Sequence, residues 1–203
     1  AGFGSAGERC MAISVVVAVE PVADELIAKV KERMATLKVG DGTRNCDMGP
    51  LINARQLSRV EALCAAGVAE GATLVMGGAR VPGLKGHFMA PTIFTGVRQQ
   101  MRIAQEECFG PVLVVRPFDT PQEAVAIANG TEFGLAAGVY TQDLRLAHWT
   151  AERLVAGQVY VNEWWAGGVE TPFGGMKRSG YGREKGQEAL LGYVQTKNVG
   201  IRL

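Results

Sequence analysis

The sequence predicts an α/β fold built on a mostly parallel open sheet with helices on both faces. Helix and strand patterns alternate along all 203 residues, as in a sheet whose strands are connected by helices. The continuous apolar run at residues 111–118 is typical of a strand buried on both faces, and therefore of a central parallel strand. A hydrophobic fraction of 47% is enough to fill a large core.

Two segments in the first half of the chain place apolar residues at helical spacing. The first begins with acidic residues and ends with Lys38, as the helix dipole favours, and Gly40 follows it as a stop signal. In order, the elements predicted here are a helix over residues 23–38, a helix over 57–68, a strand over 73–76 and a loop over 82–86.

The second half continues the alternation and then changes composition. Its predicted elements are the strand at 111–118, a helix over 121–129, a strand over 135–140, a helix around 144–154 and a strand over 158–161. Glycine then crowds residues 167–186, which is typical of a loop with close backbone approach. We expect one α/β domain over residues 1–192 and, over 193–203, an extended C-terminal strand that pairs with another subunit.

Composition excludes several classes of partner. A net charge of +1 gives no field that would favour nucleic acid or an anionic membrane. The four cysteines and two histidines lack metal-ligand spacing, so we expect no metal site. Residues 13–19 form the longest apolar run, which is too short to span a membrane. Free thiols and the lack of a leader pattern favour a cytoplasmic protein, and the start at Ala1 suggests that the natural protein extends further.

Cys10 lies between a Gly-rich segment, residues 2–7, and the apolar stretch 11–19. If that stretch is a helix, the free N–H groups at its start would favour a thiolate and an oxyanion. A single cysteine is more often a small buried hydrophobic residue, so both interpretations stay open at this point. The Gly-rich segment matches G-x-G-x-x-G, but that motif indicates dinucleotide binding only when it follows a strand and opens a helix, and the single residue before it cannot test for that strand.

Four motifs, read together, carry a family resemblance. Phe3, Gly7 and Glu8 precede Cys10. Residues 106–112 read Glu-Glu-Cys-Phe-Gly-Pro-Val, residues 129–135 contain Asn-Gly-Thr and Phe-Gly-Leu, and residues 172–184 read Pro-Phe-Gly-Gly-Met-Lys-Arg-Ser-Gly-Tyr-Gly-Arg-Glu. In this order and spacing they resemble four segments of the NAD(P)-dependent aldehyde dehydrogenase superfamily: the cysteine signature, the Glu-Glu-x-Phe-Gly-Pro-Val segment, the Asn-x-Thr-x-Tyr-Gly-Leu stretch and the C-terminal hallmark.

The resemblance implies the fold of the aldehyde dehydrogenase catalytic domain and a role for each matching residue. Cys10 would attack the aldehyde to form a thiohemiacetal and then a thioester that water hydrolyses. Glu107 would bind the nicotinamide ribose, and Phe109 would line the nicotinamide pocket. Phe173 would stand at the mouth of the substrate pocket, and we expect Trp165 to face the aldehyde.

The resemblance also implies a cofactor, a substrate class and an assembly. The cofactor would be NAD or NADP, with NAD favoured, and the aromatic neighbourhood of Trp165 favours a medium-sized or aromatic aldehyde. The full-length enzyme would be a homodimer or homotetramer. Asn162 would hold a loop, and Lys177, Ser179 and Arg183 would satisfy backbone groups.

Parts that the family uses for catalysis have no counterpart in this chain. The general-base Glu, the oxyanion Asn and the cofactor-binding domain all lie upstream of the nucleophile in the family. General-base catalysis alone contributes about 10² to 10⁴-fold in rate, so we expect this polypeptide to be inactive alone. Two alternatives stay open: a cofactor-independent thiol esterase, and a non-catalytic oligomerisation or interaction domain that keeps the fold.

Overall fold

The computed structural model describes residues 1–203, which form two compact units, Ala1–Thr131 and Glu132–Leu203. The protein has the α/β fold predicted from the sequence, with a mixed, mostly parallel sheet and helices. No helix combines the length and the apolar character that a membrane crossing requires.

The first unit contains a four-stranded sheet in the order β1-β4-β3-β2. Its strands are β1 (Val15–Val19), β2 (Thr73–Met76), β3 (Thr92–Thr95) and β4 (Val112–Phe118). Strand β4 pairs in parallel with both β1 and β3, which confirms the predicted central position of the apolar run. Strand β2 pairs antiparallel with β3 and forms one edge.

Alternate residues of the central strands supply two separate cores, one on each face of the sheet. Ile93, Leu113 and Val115 pack in one cluster with Ala23 and Met34 of helix α1 (Glu20–Ala35). The neighbouring residues point to the other face; they pack with helix α2 (Ala54–Ala69), and this cluster includes Phe94, Val112, Val114, Leu57, Val60 and Leu63. Helices therefore cover both faces, as predicted.

Capping decides where the helices begin and end. The Asn53 side chain accepts a hydrogen bond from the Gln56 N–H at the start of α2. The predicted end of α1 at residue 38 is wrong: Thr36 bonds back to Arg33, and the Lys38 N–H instead donates to Asp47 Oδ2 at 2.8 Å. The unit also contains the short helix α3 (Arg102–Gln105), which was not predicted, and α4 (Pro121–Asn129), which has the predicted bounds.

The second unit contains two strand pairs and a helix. Strand β5 (Phe133–Gly134) pairs antiparallel with β8 (Met176–Lys177), and β6 (Ala136–Val139) pairs in parallel with β7 (Gln158–Val161). Helix α5 (Leu144–Arg153) is capped by Asp143, which accepts hydrogen bonds from Arg145 and Leu146 N–H. Strand β7 matches its prediction, and β6 and α5 lie within the predicted ranges.

The C-terminal segment forms no strand within this chain. Glu188–Tyr193 forms a short 3-10 helix, so Tyr193 is not the first residue of a strand. Residues 194–203 follow without regular secondary structure, and apolar Val199 and Ile201 are exposed. The pairing of this segment with another subunit, and the predicted domain bounds, stay predictions.

Candidate functional site

The loop before Cys10 is a left-handed turn. Ser5, Ala6 and Gly7 have φ angles of 52°, 54° and 72°, and the Ala6 side chain is fully buried. The G-x-G-x-x-G match therefore contains this turn, and the next regular element after it is strand β1 rather than an α-helix. This sequence of elements is not the one that a dinucleotide-binding loop requires.

Cys10 lies in a tight turn at the surface. The Ala12 N–H donates to the Arg9 carbonyl at 3.0 Å, so Cys10 and Met11 occupy the middle of the turn. Met11 is buried and anchors the turn, whereas Cys10 is an exposed free thiol. The conditional helix after Cys10 is absent because the β-branched run Val15–Val17 pairs with β4 as a strand. The site thus has no helix dipole at Cys10.

Glu8 ties the Cys10 loop to the chain that enters α2. Its carboxylate accepts the Ile52 N–H at 3.0 and 3.3 Å, across 44 residues of sequence. Burial raises the pKa of Glu8 above its ordinary value, and the hydrogen bond from Ile52 opposes that shift. Glu8 therefore acts as a tether whose charge is partly desolvated.

Gly7 brings the Cys10 loop against the Glu107–Phe109 segment. A Cβ at Gly7 would overlap the Gly110 carbonyl oxygen and lie 2.5 Å from the Gly110 carbonyl carbon. The two backbones are therefore in direct contact, within one compact unit. This close approach places the loop of the predicted nucleophile beside two of the predicted cofactor residues.

The Glu107–Phe109 segment has an unusual backbone. Phe109 has a φ of 50°, which non-glycine residues rarely adopt, and its ring is 36% exposed. The Glu107 side chain is also exposed, whereas Cys108 between them is buried. The two predicted cofactor-binding side chains therefore both reach solvent.

Glu106, the first residue of the Glu-Glu pair, has a structural partner. Its carboxylate accepts a hydrogen bond from Arg102 at 2.6 Å, one helical turn earlier. This hydrogen bond lowers the pKa of Glu106 below its ordinary value. Of the two acids, Glu106 therefore forms a salt bridge, whereas Glu107 is exposed to solvent.

Sequence reasoning missed two residues at this site. The Gln56 and Arg59 side chains donate hydrogen bonds to backbone carbonyls of the Glu107–Phe109 segment. Both residues lie in the second predicted helix or just before it. The sequence alone does not indicate which polar residues of a partly exposed helix bind a distant backbone segment.

In the second unit, Trp164 lies at the centre of an aromatic cluster that includes Trp165. Trp164 contacts Tyr160 at a ring-centroid distance of 5.4 Å and Trp165 at 6.4 Å. A Cβ at Gly138 would lie 2.9 Å from the Trp164 ring, so this indole packs on the β6 backbone. Trp165 itself has a φ of 68° and is 45% exposed. Trp164 is therefore a packing residue, and Trp165 presents its ring outward.

Phe173 is fixed by backbone pairing. Phe173 and Glu184 exchange two N–H to carbonyl hydrogen bonds of 2.6 Å. This pairing brings the Lys185 ammonium to 5.8 Å from the centre of the Phe173 ring. Phe173 is half-buried in this unit.

The Gly-rich hallmark is held together by the polar residues expected to satisfy its backbone. Ser179 Oγ accepts the Gly134 N–H at 3.0 Å, and Arg183 donates to the carbonyls of Gly175 and Gly182. Asn162 likewise accepts from the Thr141 N–H and donates to the Thr141 carbonyl, both at 2.9 Å. Asn162 is thus bound to the Thr141 backbone, and its role in holding the loop that follows it stays a prediction.

Each unit contains some of the predicted site residues. Within the first, the Cys10 loop meets the segment of Glu107 and Phe109, and within the second lie Trp165 and Phe173. No group of three or more His, Cys, Asp or Glu residues is arranged to bind a metal ion.

The profile of the aldehyde dehydrogenase family matches residues 1–199. The chain belongs to the aldehyde dehydrogenase family. Mitochondrial 10-formyltetrahydrofolate dehydrogenase from Mus musculus is 41% identical over 97% of this chain, and the cytosolic enzyme from Xenopus tropicalis is 42% identical over 98%. The chain spans only 22% of the length of each relative.

Solved aldehyde dehydrogenases share the fold. A point variant of betaine aldehyde dehydrogenase from Staphylococcus aureus, in complex with NAD+, has a TM-score of 0.92 and 36% identity over 97% of this chain. A point variant of aldehyde dehydrogenase from Bacillus cereus has a TM-score of 0.90 and 40% identity over 94%. This chain covers 41% and 39% of those two chains, respectively.

Proposed function

We propose that this chain is the nucleophile-bearing part of an enzyme that oxidises an aldehyde to a carboxylic acid with NAD(P)+. The observation that carries the proposal is the backbone contact between Gly7 and Gly110. It brings the loop of the exposed thiol of Cys10 against the segment that bears Glu107 and Phe109. Family membership supports the same reaction class.

Cys10 acts as the nucleophile. Its thiolate sulfur bonds to the carbonyl carbon, and the carbonyl oxygen becomes an oxyanion that the backbone N–H of Cys10 helps to hold. After oxidation the acyl group remains on the sulfur as a thioester. Water then attacks the thioester, which breaks the carbon–sulfur bond and releases the carboxylic acid and the Cys10 thiol; loss of the thiol proton to solvent restores the thiolate. The exposed position of Cys10 is consistent with access for both aldehyde and water.

Glu107 and Phe109 fit the nicotinamide end of the cofactor. An exposed carboxylate accepts hydrogen bonds from both hydroxyls of a ribose, and an exposed ring packs against a planar heterocycle. The bound cofactor would supply the hydride acceptor. The NAD+ complexes of related enzymes favour NAD+. Because this chain covers about two fifths of such structures, we propose that it needs the remaining part for activity.

The aromatic residues of the second unit set the substrate class. The exposed ring of Trp165 and the half-buried ring of Phe173 favour a medium-sized or aromatic aldehyde. Phe173 is held by its backbone pairing with Glu184, and the centre of the Trp165 ring lies 6.4 Å from that of the packed Trp164 ring. Aromatic contacts of this kind would favour a substrate that has a complementary apolar group.

Aldehyde-dependent formation of NADH tests this proposal. The assay uses this chain and any longer natural polypeptide that contains it, each with Cys10→Ala and with the control Cys46→Ala, since Cys46 is a partly exposed free thiol elsewhere. We expect Cys10→Ala to lower turnover by about 10³-fold or more and Cys46→Ala to leave it unchanged. Measurable turnover that is equal in the wild type and in Cys10→Ala would refute the proposal.

A p-nitrophenyl acetate assay separates the two alternatives. Hydrolysis that requires Cys10 but is accompanied by no aldehyde oxidation in any form would indicate a thiol esterase. The absence of both activities from every form, including any longer polypeptide that contains this chain, would indicate a non-catalytic domain.

A further inference from the structure

Four hydrogen bonds from helix α2 hold the backbone of the Glu107–Phe109 segment. Gln56 Nε2 donates to the carbonyls of Cys108 at 3.1 Å and Phe109 at 2.7 Å. Arg59 donates to the Cys108 carbonyl at 2.8 Å and, through its other terminal nitrogen, to the Glu107 carbonyl. Three successive carbonyls are therefore bound by two side chains one helical turn apart.

These bonds act on a strained residue. A non-glycine residue in the left-handed region costs about 1 to 3 kcal/mol and persists only where the surroundings fix it. Phe109 is 36% exposed, so packing restrains its side chain only in part. The donors on the carbonyls of residues 107–109, together with the contact between Gly7 and Gly110, restrain the backbone that holds Phe109 at a φ of 50°.

The donors themselves are firmly anchored. Leu57 and Val60, which alternate with Gln56 and Arg59 along α2, are at most 1% exposed. Val60 also packs on the segment directly, because a Cβ at Gly110 would lie 2.6 Å from a Val60 methyl group. The burial of Leu57 and Val60 thus fixes the position of Gln56 and Arg59 relative to the sheet.

We propose that Gln56 and Arg59 are positioning residues that set the backbone conformation through which Glu107 and Phe109 meet the cofactor. The backbone part of this inference stands on the contacts alone, and its link to the cofactor rests on the proposed function. Both side chains act through the carbonyls of the segment. The neutral Gln56 and the cationic Arg59 therefore serve the same purpose.

Thiol alkylation of this chain tests the backbone part. Cys108 and Cys64 belong to one core cluster and are 8% and 4% exposed, so each reports when its surroundings open. We compare iodoacetamide labelling at both thiols, by peptide mapping, in Arg59→Met, Gln56→Leu and the control Arg55→Met. Arg55 is an exposed arginine of the same helix. Since hydrogen bonds to a charged donor contribute about 1.5 to 3 kcal/mol, Cys108 labelling should rise about tenfold or more in Arg59→Met.

The pattern of labelling decides the outcome. Faster labelling of Cys108 in Arg59→Met and Gln56→Leu, with Cys64 unchanged, is the expected result. Parallel increases at Cys64 and Cys108 would mean that the variants lower global stability alone, and would overturn the inference. Labelling of Cys108 equal to that of Arg55→Met would also overturn it.

Steady-state kinetics tests the link to the cofactor, in the form of the protein that oxidises aldehydes. Both Arg59→Met and Gln56→Leu should raise the KM for NAD+ about tenfold while kcat changes less, and Arg55→Met should match the wild type. In the double variant the KM for NAD+ should rise by less than the product of the two single effects, because both side chains bind the Cys108 carbonyl.

Two results would separate failures of this link from failures of the proposed function. An effect of Arg59→Met on the KM for NAD+ that Gln56→Leu does not share would indicate a direct charge effect and overturn the positioning role. A wild type without aldehyde oxidation, or with oxidation independent of Cys10, would refute the proposed function, while the alkylation pattern would still decide the backbone inference.

Discussion

Gly7 and Gly110 meet backbone to backbone, with no space between them for a side chain. The contact joins the turn that carries Cys10 to the segment that carries Glu107 and Phe109. Gly7 also has a φ of 72°, so both its conformation and its surroundings require glycine. The predictions below start from this contact and move outward from it.

Gly7→Ala should lower the free energy of unfolding by about 3 kcal/mol or more, because the new methyl group overlaps the Gly110 carbonyl in a strained backbone. Urea denaturation measures the change. Gly4→Ala is the matched control, since no atom lies within 4 Å of a Cβ at Gly4. Equal losses in both variants would mean that the Gly7 contact does not stabilise the fold.

The thiols should react in the order of their exposure. Burial raises the pKa of Cys64 to about 11 and that of Cys108 to about 12, so both stay protonated and unreactive at neutral pH. Cys10 is exposed and Cys46 partly so. We expect iodoacetamide to label Cys10 first, Cys46 next, and Cys64 and Cys108 only after unfolding. Peptide mapping over time measures the order, and early labelling of Cys108 would contradict it.

Glu8→Gln should stabilise the protein at neutral pH and have no effect at about pH 4. The pKa of Glu8 is raised in the folded state, so the ionised carboxylate is disfavoured and stability is lost as the pH rises through that pKa. The amide can still accept the Ile52 N–H. Because the group is mostly solvated, we expect a rise in Tm of only about 1 to 2 °C at pH 7. A Tm of the variant below that of the wild type at pH 7 would contradict this assignment.

Asn162→Ala should cost about 1 to 3 kcal/mol of stability, since it removes two hydrogen bonds to Thr141 from a residue with a φ of 58°. Asn162→Gly relieves the backbone strain but not the lost bonds, so its cost should be smaller. Chemical denaturation measures both variants. A normal stability combined with a lost activity would instead indicate a role in catalysis.

Trp165→Ala should lower kcat/KM for benzaldehyde about tenfold relative to acetaldehyde, because the larger substrate loses an aromatic contact. The control is Tyr181→Ala, which removes a fully exposed ring of the same unit. The measurement uses the form of the protein in which aldehyde oxidation is found. An unchanged ratio would remove Trp165 from the substrate pocket.

Local patterns predicted the parts of the fold that depend on one strong signal. The apolar run of β4 fixes a buried strand whatever surrounds it, and Thr120 and Pro121 define the start of α4. The end of α1 was misplaced because it depends on Asp47, which lies nine residues after Lys38. The run before Val19 could not be assigned to helix or strand until its partner β4 was known.

Motifs predicted which residues belong to the candidate site but not what holds them. Cys10, Glu107 and Phe109 were found because their neighbours in sequence form recognisable patterns. The left-handed backbone of Phe109 and its support by Arg59 arise from contacts between residues 49 apart in the chain. No short pattern encodes such contacts, so only the folded structure reveals them.

Two sides of helix α2 make different contacts. Leu57 packs in the core, whereas Gln56 donates a hydrogen bond to the Glu107–Phe109 segment. If Glu107 and Phe109 bind the cofactor as proposed, substitutions at the buried side of this helix should therefore change the affinity for NAD+. Directed evolution of a new aldehyde preference would do better to leave this helix intact and to randomise residues 163–171, where Trp165 lies. Selection could then change the substrate specificity without lowering the proposed affinity for the cofactor.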